Sequence, residues 1–347
     1  MKETSDLRLT RPDDWHVHLR EGAIMQSVLA PHAEVFGRFV AMPNLSTPVT
    51  TRALARDYKK TLVAAMPAKS TANPLIPCYL TEETSIDEVI SGHQSQDFFG
   101  AKFYPLGATT QSQAGVRDIE KLYPLFEQMQ KHGVPLMMHG ETVDQEVDIY
   151  DRERVFVETS LSNLVAAFPE LVMTMEHLTT KEAVDFVAEN QGNSRLAGSI
   201  TLHHLLLTRN DMLDDGLRSD YFCYPLVKTA KDRAAVRAAA TSGQSCYFLG
   251  TDSAPHVQTQ KYCATAKAGV FTAPVAITGY ATVFEAESAL NKLEAFASHH
   301  GANHYGMPIN DDHITLRKTG NVQQPKHWTT SQGDVRVFDA PNDWVVV

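Results

Sequence analysis

The chain is poor in features that would mark it as secreted or as a small zinc module. Its 347 residues include only four cysteines, and no two of them have a Cys-x-x-Cys spacing. This scarcity excludes a disulfide framework or a structural zinc knuckle and indicates reduced thiols in a cytoplasmic protein. The four are Cys78, Cys223, Cys246 and Cys263.

Basic residues and long apolar runs are also scarce. The 31 Lys and Arg are outnumbered by 41 Asp and Glu, and the net charge of -10 argues against nucleic acid as the main partner. No uninterrupted apolar stretch is long enough to span a bilayer, and residues 1–14 lack the apolar segment of a signal peptide. We therefore expect a cytoplasmic protein with no membrane and no nucleic-acid partner.

The sequence does contain a regular alternation of short apolar runs and longer helical segments. The runs predicted as strands lie at 15–19, 39–42, 75–80, 101–104, 135–139, 172–177, 195–200 and 246–250. The segments predicted as helices lie at 51–66, 119–132, 152–168, 181–190, 231–242 and 275–297. Alternation repeated about eight times predicts an α/β fold, a (β/α)8 TIM-type barrel. A doubly wound open sheet is the second choice, but no Gly-x-Gly-x-x-Gly follows the first strand.

The barrel is expected to account for most of the chain. A hydrophobic content of 43% is ordinary for a globular protein and sufficient for one large core. We expect a single domain over residues 1–347, with the barrel core at about 11–306 and a short irregular C-terminal extension at 307–347. The polar extension contains short β-like runs at 314–316, 335–338 and 344–347.

The first predicted strand carries a His-x-His motif. Residues i and i+2 of a strand point to the same face, so His16 and His18 would project side by side. Paired imidazoles suit a divalent metal, most commonly zinc. Arg20 adds a cation with a geometry suited to a carboxylate. A His-x-His motif by itself is weak, because it also occurs in half-exposed strands that bind nothing.

Further polar residues fall where later predicted strands end, which in such barrels is where the chemistry gathers. Each has an ordinary alternative, such as a buried core histidine for His139 or a turn-capping role for Asp252. Four histidines, a lysine and an aspartate at one rim together predict a metal site. The additional residues at strand ends are Asn44, Lys102, His139, His177 and Asp252. Glu176 is expected to point away from His177 and is not counted as a ligand.

Lys102 is unusual because aromatic residues flank it. Its ordinary interpretation is a lysine whose ammonium reaches solvent. In a dry barrel mouth beside two cations, the pKa of an ammonium would fall. A neutral amine can add carbon dioxide, and the resulting carbamate could bridge two metals.

The remaining histidines divide into three groups. His256 follows Asp252 closely and is expected to contact substrate. His203 and His204 are expected to be structural or to support the site without binding metal. The others are expected to lie at the surface: His32, His93, His132, His299, His300, His304, His313 and His327.

Taken together, these motifs resemble the dihydroorotases, specifically the short bacterial homodimeric type within the amidohydrolase superfamily. The resemblance covers about residues 11–306, in the same order and at comparable spacing. The motifs that carry it are His16-x-His18 with Arg20, Met42-Pro43-Asn44, Lys102-Phe103-Tyr104-Pro105, His139-Gly140-Glu141, Glu176-His177 and Gly250-Thr251-Asp252-Ser253-Ala254-Pro255-His256.

The resemblance implies a catalyst of the reversible cyclisation of N-carbamoyl-L-aspartate to L-dihydroorotate, a step of pyrimidine synthesis. It implies two Zn²⁺ per subunit, bridged by carboxylated Lys102. One metal would be held by His16, His18 and Asp252, and the other by His139 and His177. Asp252 would also act as the catalytic base and then acid.

The resemblance also implies substrate contacts and a homodimer. Arg20, Asn44 and His256 would hold the substrate carboxylate. Ala268 and the backbone near Tyr224 would contact ring atoms, and a mobile loop with Thr109 and Thr110 would close over the ligand.

The chain departs from the family pattern in three places. Residues 257–271 lack the cysteine-rich run of enterobacterial members, residues 201–205 differ from the usual Thr-Pro-Gln-His-Leu, and the tail beyond Gly306 matches poorly.

A hydantoinase or an allantoinase would use the same set of metal ligands. The residues expected to bind the substrate carboxylate, Arg20, Asn44 and His256, favour instead a ring that bears an acid. An inactive scaffold barrel is a third hypothesis, which predicts the loss of one or more ligands.

Overall fold

The computed structural model describes residues 6–214, 216–320 and 322–347. The strands are β1 (Asp6–Thr10), β2 (Asp13–Val17), β3 (Arg38–Ala41), β4 (Asn73–Leu75), β5 (Cys78–Tyr79), β6 (Ala101–Phe103), β7 (Leu136–Met138), β8 (Met173–Met175), β9 (Leu196–Ile200), β10 (Tyr247–Leu249), β11 (His313–Lys318), β12 (His327–Thr330), β13 (Gly333–Arg336) and β14 (Trp344–Val346). The helices are α1 (Gly22–Val35), α2 (Arg52–Ala65), α3 (Ile86–Gln94), α4 (Tyr123–His132), α5 (Arg152–Phe156), α6 (Ser162–Ala167), α7 (Lys181–Glu189), α8 (Leu202–Leu206), α9 (Arg209–Leu213), α10 (Ala230–Ala240), α11 (Gln258–Lys261), α12 (Ala276–Ala286) and α13 (His300–His304).

Strands β2 to β10 form the predicted parallel barrel. They pair in two sets, β2-β3-β4 and β5-β6-β7-β8-β9-β10. The third predicted strand, 75–80, is divided into β4 and β5, because Pro77 has no N–H to continue the ladder. Beyond β10, the backbone joins the first strand: His18 N donates to Ser253 O at 3.0 Å and Asp252 N to His16 O at 2.8 Å. The (β/α)8 prediction is confirmed.

The barrel interior is apolar below the strand ends and polar at them. A buried cluster fills the interior, made of Trp15, Val40, Met42, Leu75, Met137, Ala197, Phe248 and Ala302. Because alternate residues share a face, the next inward positions after Met42 and Met137 are Asn44 and His139. A register shift between Asp14 and Val17 in β2 allows Trp15 to join the cluster while His16 and His18 still point inward. The core packing thus aims polar side chains at one end of the barrel.

Most predicted helices are present. Helix α1 and the short helices α8, α9, α11 and α13 were not predicted, and the segment 275–297 is not one helix. Helix α12 ends at Ala286, where Ser288 has a left-handed φ of 56° and Ala289 N donates to Phe284 O, which closes the helix end. No helix within the described parts of the chain is both long enough and apolar enough to cross a membrane.

The C-terminal extension packs against strand β1 and against the 257–271 loop. Strand β11 pairs antiparallel with β1 and with β14, and β12 and β13 form a hairpin. Val335 bridges to Val257, and Val337 bridges to Phe271. The predicted β-like runs correspond to β11, β13 and β14, whereas β12 was not predicted. The extension therefore holds the two ends of the 257–271 loop.

Candidate active site

A pocket opens where the barrel strands end. Its lining includes eleven of the predicted site residues: His16, His18, Arg20, Asn44, Thr109, Thr110, His139, His177, Tyr224, Asp252 and Ala268. Lys102 and His256 do not line it, but both are buried beside residues of the site. Glu176 lies between Lys102 and His16, and His256 contacts Arg20. The structure thus brings the predicted residues together.

Three donor atoms from the first and last barrel strands face one point. His16 Nε2 lies 3.2 Å from His18 Nε2 and 3.4 Å from Asp252 Oδ1, and His18 Nε2 lies 3.2 Å from the same oxygen. Tetrahedral ligands at zinc–nitrogen distances would be about 3.3 Å apart. This trio fits a divalent metal.

His139 and His177 stand beside the trio. Their ring centroids are 4.8 Å apart, and the His16 and His177 centroids are 5.1 Å apart. His177 Nδ1 is buried without a hydrogen-bond partner. His139 Nε2 lies 2.7 Å from Glu141 Oε2, so the carboxylate accepts from Nε2 and leaves Nδ1 with a free lone pair. We call these five residues, His16, His18, His139, His177 and Asp252, the ligand end.

The orientation expected for Glu176 is wrong. Its Oε1 lies 3.0 Å from His16 Nδ1, and its Oε2 accepts a hydrogen bond from Lys102 Nζ. Strand β8 ends at Met175, so the alternation of faces does not extend to Glu176, and His177 adopts a left-handed φ of 46°. Glu176 is therefore a buried anion inside the barrel, in contact with Lys102.

At the ligand end, buried acidic and histidine side chains shift one another's pKa values. Burial alone would lower the pKa of His16, but Glu176 and Asp252 raise it to about 9. Burial alone would raise the pKa of Asp252, but His16 and His18 hold it well below its usual range. Burial lowers the pKa of His18 to about 4. Asp252 is consequently a carboxylate, and His18 a neutral imidazole, at neutral pH.

The backbone at the ligand end is strained, and hydrogen bonds to the Asp14 carboxylate hold it in place. His177, Asp252 and nearby Arg20 all have left-handed φ values, of 46°, 45° and 65°. Such conformations cost free energy outside glycine and cluster at functional sites. The carboxylate of Asp14 accepts from His16 N at 3.1 Å and from Thr251 N at 2.8 Å, which joins the two strands that carry the trio.

The other side of the pocket is cationic and built from loops. Arg20 Nε donates to Pro255 O at 3.2 Å, and its Nη2 lies 2.9 Å from His256 Nε2. Asn44 Nδ2 donates to Thr110 O at 2.9 Å. We call Arg20, Asn44, His256 and Ala268 the anion end, because Arg20 places there a positive charge of a kind that pairs with anions.

Sequence reasoning missed several buried polar residues. His32, expected at the surface, is fully buried, and its Nε2 lies 3.4 Å from Asp14 Oδ2. His304, also expected at the surface, is half-buried, and its Nε2 lies 3.1 Å from Thr174 Oγ1. The alternation of faces in the strand could have identified Asp14, whereas no local signal indicates the burial of His32.

The paired histidines after β9 are buried. His204 lies 2.8 Å from Thr201 Oγ1 and 3.1 Å from Pro225 O. Both nitrogens of His203 lack a hydrogen-bond partner. The ring of His204 is thus held between Thr201 and Pro225, and the structural or supporting role expected for the pair stays a prediction.

Residues 14–318 match the sequence profile described as the Amidohydrolase family, so the chain belongs to that family. It is 47% identical over 344 residues to a dihydroorotase of Rhizobium johnstonii, covering 98% of both chains. Its fold matches a crystal structure of dihydroorotase in complex with 5-fluoroorotic acid from Saccharomyces cerevisiae, with a TM-score of 0.91, 31% identity and coverage of 99% and 98% of the two chains. Within the family the chain is one of the dihydroorotases, and it is a hydrolase that acts on a cyclic amide.

Solved structures of hydantoinases have a similar fold. An L-hydantoinase from Arthrobacter aurescens superposes with a TM-score of 0.76 at 15% identity, over 98% of this chain and 84% of that one. At such identity the likeness shows the barrel alone.

Proposed function

We propose that the protein interconverts N-carbamoyl-L-aspartate and L-dihydroorotate with two Zn²⁺ per subunit, as part of pyrimidine synthesis in the cytoplasm. The observation that carries this proposal is the polarity of one pocket: a His/Asp cluster at one end and Arg20 at the other. A cyclic amide that bears a carboxylate needs both ends at once, the first for its scissile bond and the second for its charge.

The metals would be held at the ligand end. His16, His18 and Asp252 would hold one ion, and His139 and His177 the other, which the donor spacing of the trio and the unpartnered His177 nitrogen support. When bound, the metals supply Lewis acidity, which makes hydroxide available near neutral pH and polarises the amide carbonyl.

Asp252 would move the proton in both directions. Its depressed pKa keeps it ionised, so it can accept a proton from the attacking water and deliver it to the leaving ring nitrogen. For ring closure, the same carboxylate would take the proton from the ureido nitrogen. Its fixed position beside His16 and His18 orients it for this transfer.

The anion end would orient the substrate. Arg20, Asn44 and His256 would bind the carboxylate, and Ala268 with the backbone at Tyr224 would contact ring atoms. Thr110 O accepts from Asn44, and its hydroxyl lies 3.4 Å from Ala268 O, so a closed loop at Thr109 and Thr110 would exclude water from the bound ring.

Lys102 would carry the carbamate that bridges the two metals. Its side chain is fully buried, and burial lowers its pKa, which favours the neutral amine that reacts with carbon dioxide. Growth with ¹³C-bicarbonate should give a carbamate carbon signal by NMR, absent from Lys102→Met. A labelled protein that contains metal but gives no such signal would exclude the modification.

The function is tested by turnover. Purified, zinc-loaded protein should open L-dihydroorotate and close N-carbamoyl-L-aspartate, and should act far more slowly on hydantoin and allantoin. Preference for either neutral ring would instead assign it to the hydantoinases or allantoinases. No turnover of any of the three by metal-loaded protein would favour a scaffold.

Two further properties follow from the family. We propose a homodimer, to be tested by sedimentation equilibrium. We also propose that 5-fluoroorotic acid, the ligand named for the yeast structure, binds this pocket as an inhibitor competing with L-dihydroorotate.

A further inference from the structure

Lys261 is a buried lysine whose ammonium is enclosed by the protein backbone. It is the last residue of α11, in the 257–271 loop, and only 4% of its surface is exposed. Its Nζ donates to Phe222 O at 3.0 Å, to Lys267 O at 3.0 Å and to Gly269 O at 2.8 Å. No carboxylate pairs with it in these contacts. Three carbonyl oxygens replace its hydration, and the centroid of the Phe222 ring lies 5.9 Å from Nζ.

The three carbonyls belong to the two segments that form one wall of the pocket. Lys267 and Gly269 flank Ala268, and Phe222 lies two residues before Tyr224. Tyr224, Ala268 and Gly269 all line the pocket. A backbone bond from Gly269 N to Phe222 O, at 2.9 Å, joins the same segments. Lys261 therefore joins the two stretches of backbone that form this wall of the pocket.

The charge of Lys261 suits this role. An ammonium has three N–H donors and no acceptor, and here each donor has its own carbonyl. Burial lowers its pKa to about 8, so the group is mostly protonated at neutral pH. An apolar side chain of similar length would remove the donor to the Lys267 and Gly269 carbonyls, while Phe222 O would keep Gly269 N. The lost hydrogen bonds cost free energy unless the loop moves.

We propose that Lys261 is a positioning residue for substrate recognition, which holds Ala268 and the Tyr224 segment at the spacing the ring requires. The proposal rests on the proposed function, because that function assigns ring contacts to those positions. Displacement of Ala268 would also reach Arg20, because His256 Nε2 lies 3.0 Å from Ala268 O and 2.9 Å from Arg20 Nη2. The ligand end, in contrast, does not touch Lys261.

The test compares Lys261→Met with Lys267→Met. Both remove one positive charge from the same loop, but Lys267 is exposed and its side chain takes no part in the enclosure. KM and kcat for L-dihydroorotate, the dissociation constant of 5-fluoroorotic acid, zinc content and the unfolding temperature are measured for both. We expect Lys261→Met to raise KM and the dissociation constant at least about fivefold, with zinc content unchanged and kcat within about twofold. Lys267→Met should match the parent.

The outcomes separate the proposal from its alternatives. Unchanged KM in Lys261→Met overturns it, and so does a loss of kcat in proportion to lost zinc or folded protein. If Lys261→Met does not fold, Lys261→Gln, which keeps two N–H donors, carries the test, and an unchanged KM there also overturns the proposal. Failure of the proposed function is distinguishable, because the parent itself would then not act on L-dihydroorotate.

Discussion

The ligand end and the anion end of the pocket are held by different parts of the molecule. His16 lies on β2 and His139 directly follows β7, so the hydrogen bonds of the barrel fix their positions. Ala268 lies on a loop of fifteen residues, 257–271, and His256 directly precedes this loop. Val335 and Val337 of the C-terminal extension bridge to the first and last residues of the loop. The proposed metal ligands are thus positioned by the barrel, and the proposed substrate contacts are positioned by interactions between distant segments.

This difference separates two kinds of functional change. Substitutions at the ligand end should act on metal binding and on kcat, because they alter atoms fixed by strands. Substitutions at the anion end should act on KM, because they alter the capture of the carboxylate.

Asp252→Asn should have the largest effect. Asparagine keeps the shape but cannot accept the proton, so we expect kcat to fall on the order of 10³-fold. The control is Asp57→Asn, at an exposed position on α2. A discontinuous assay of ring opening measures the activity, and circular dichroism measures the fold. Retention of more than about a tenth of the activity would disprove the proton-transfer role.

Arg20→Lys should mainly raise KM. Lysine keeps the charge but loses the forked donors, so we expect an increase of roughly 10–100-fold with little change in kcat. Arg8→Lys, on the exposed face of β1, is the matched control. A fall in kcat at constant KM would contradict the separation of the two ends.

Glu141→Gln should weaken metal binding at His139. Glutamine can still accept a hydrogen bond from His139 Nε2 but lacks the negative charge, so zinc affinity should fall about tenfold. Competition with a chelator measures affinity, and Glu146→Gln, exposed in the same loop, is the control. Equal zinc affinity in both variants would mean that Glu141 does not orient the ligand.

His203→Gln should have the smallest effect, on acid stability. Burial lowers the pKa of His203 to about 4, from 6.5, so below pH 6.5 the folded protein binds fewer protons than the unfolded chain. Stability from this group is present above pH 6.5 and is lost as the pH falls. Between pH 6.5 and 5.5 the parent should lose about 1 kcal/mol more than the variant.

Urea unfolding at the two pH values measures this difference. The control is His132→Gln, which is exposed at the end of α4 and should lose as much stability as the parent. Identical losses in the parent and in His203→Gln would show that His203 is not the titrating group.

The sequence was sufficient to predict those site residues whose direction follows from the alternation of side chains along a strand. His16 and His18 share a face by their spacing, and an apolar strand leads directly to His139, so the resemblance and the barrel fold could be predicted and the comparisons confirm both. The roles of the individual site residues stay predictions. The same period gave the wrong orientation for Glu176, because the strand ends one residue before it.

Tertiary contacts decided the positions that could not be predicted. His32 is buried because α1 packs it against Phe36 and Phe39, and no histidine pattern indicates this. Lys261 resembles a surface lysine in sequence, and only the fold gives it three carbonyl partners. The anion end is therefore harder to predict from the sequence than the ligand end.

During synthesis, β1 leaves the ribosome long before β11 does. Asp6 and Arg317, which pair across these two strands, are 311 positions apart. At translation rates of about 5–20 residues per second, β1 waits on the order of 15–60 s for its partner. Asp6 and Arg8 place charges on this open edge, which discourages it from joining another nascent chain in the meantime.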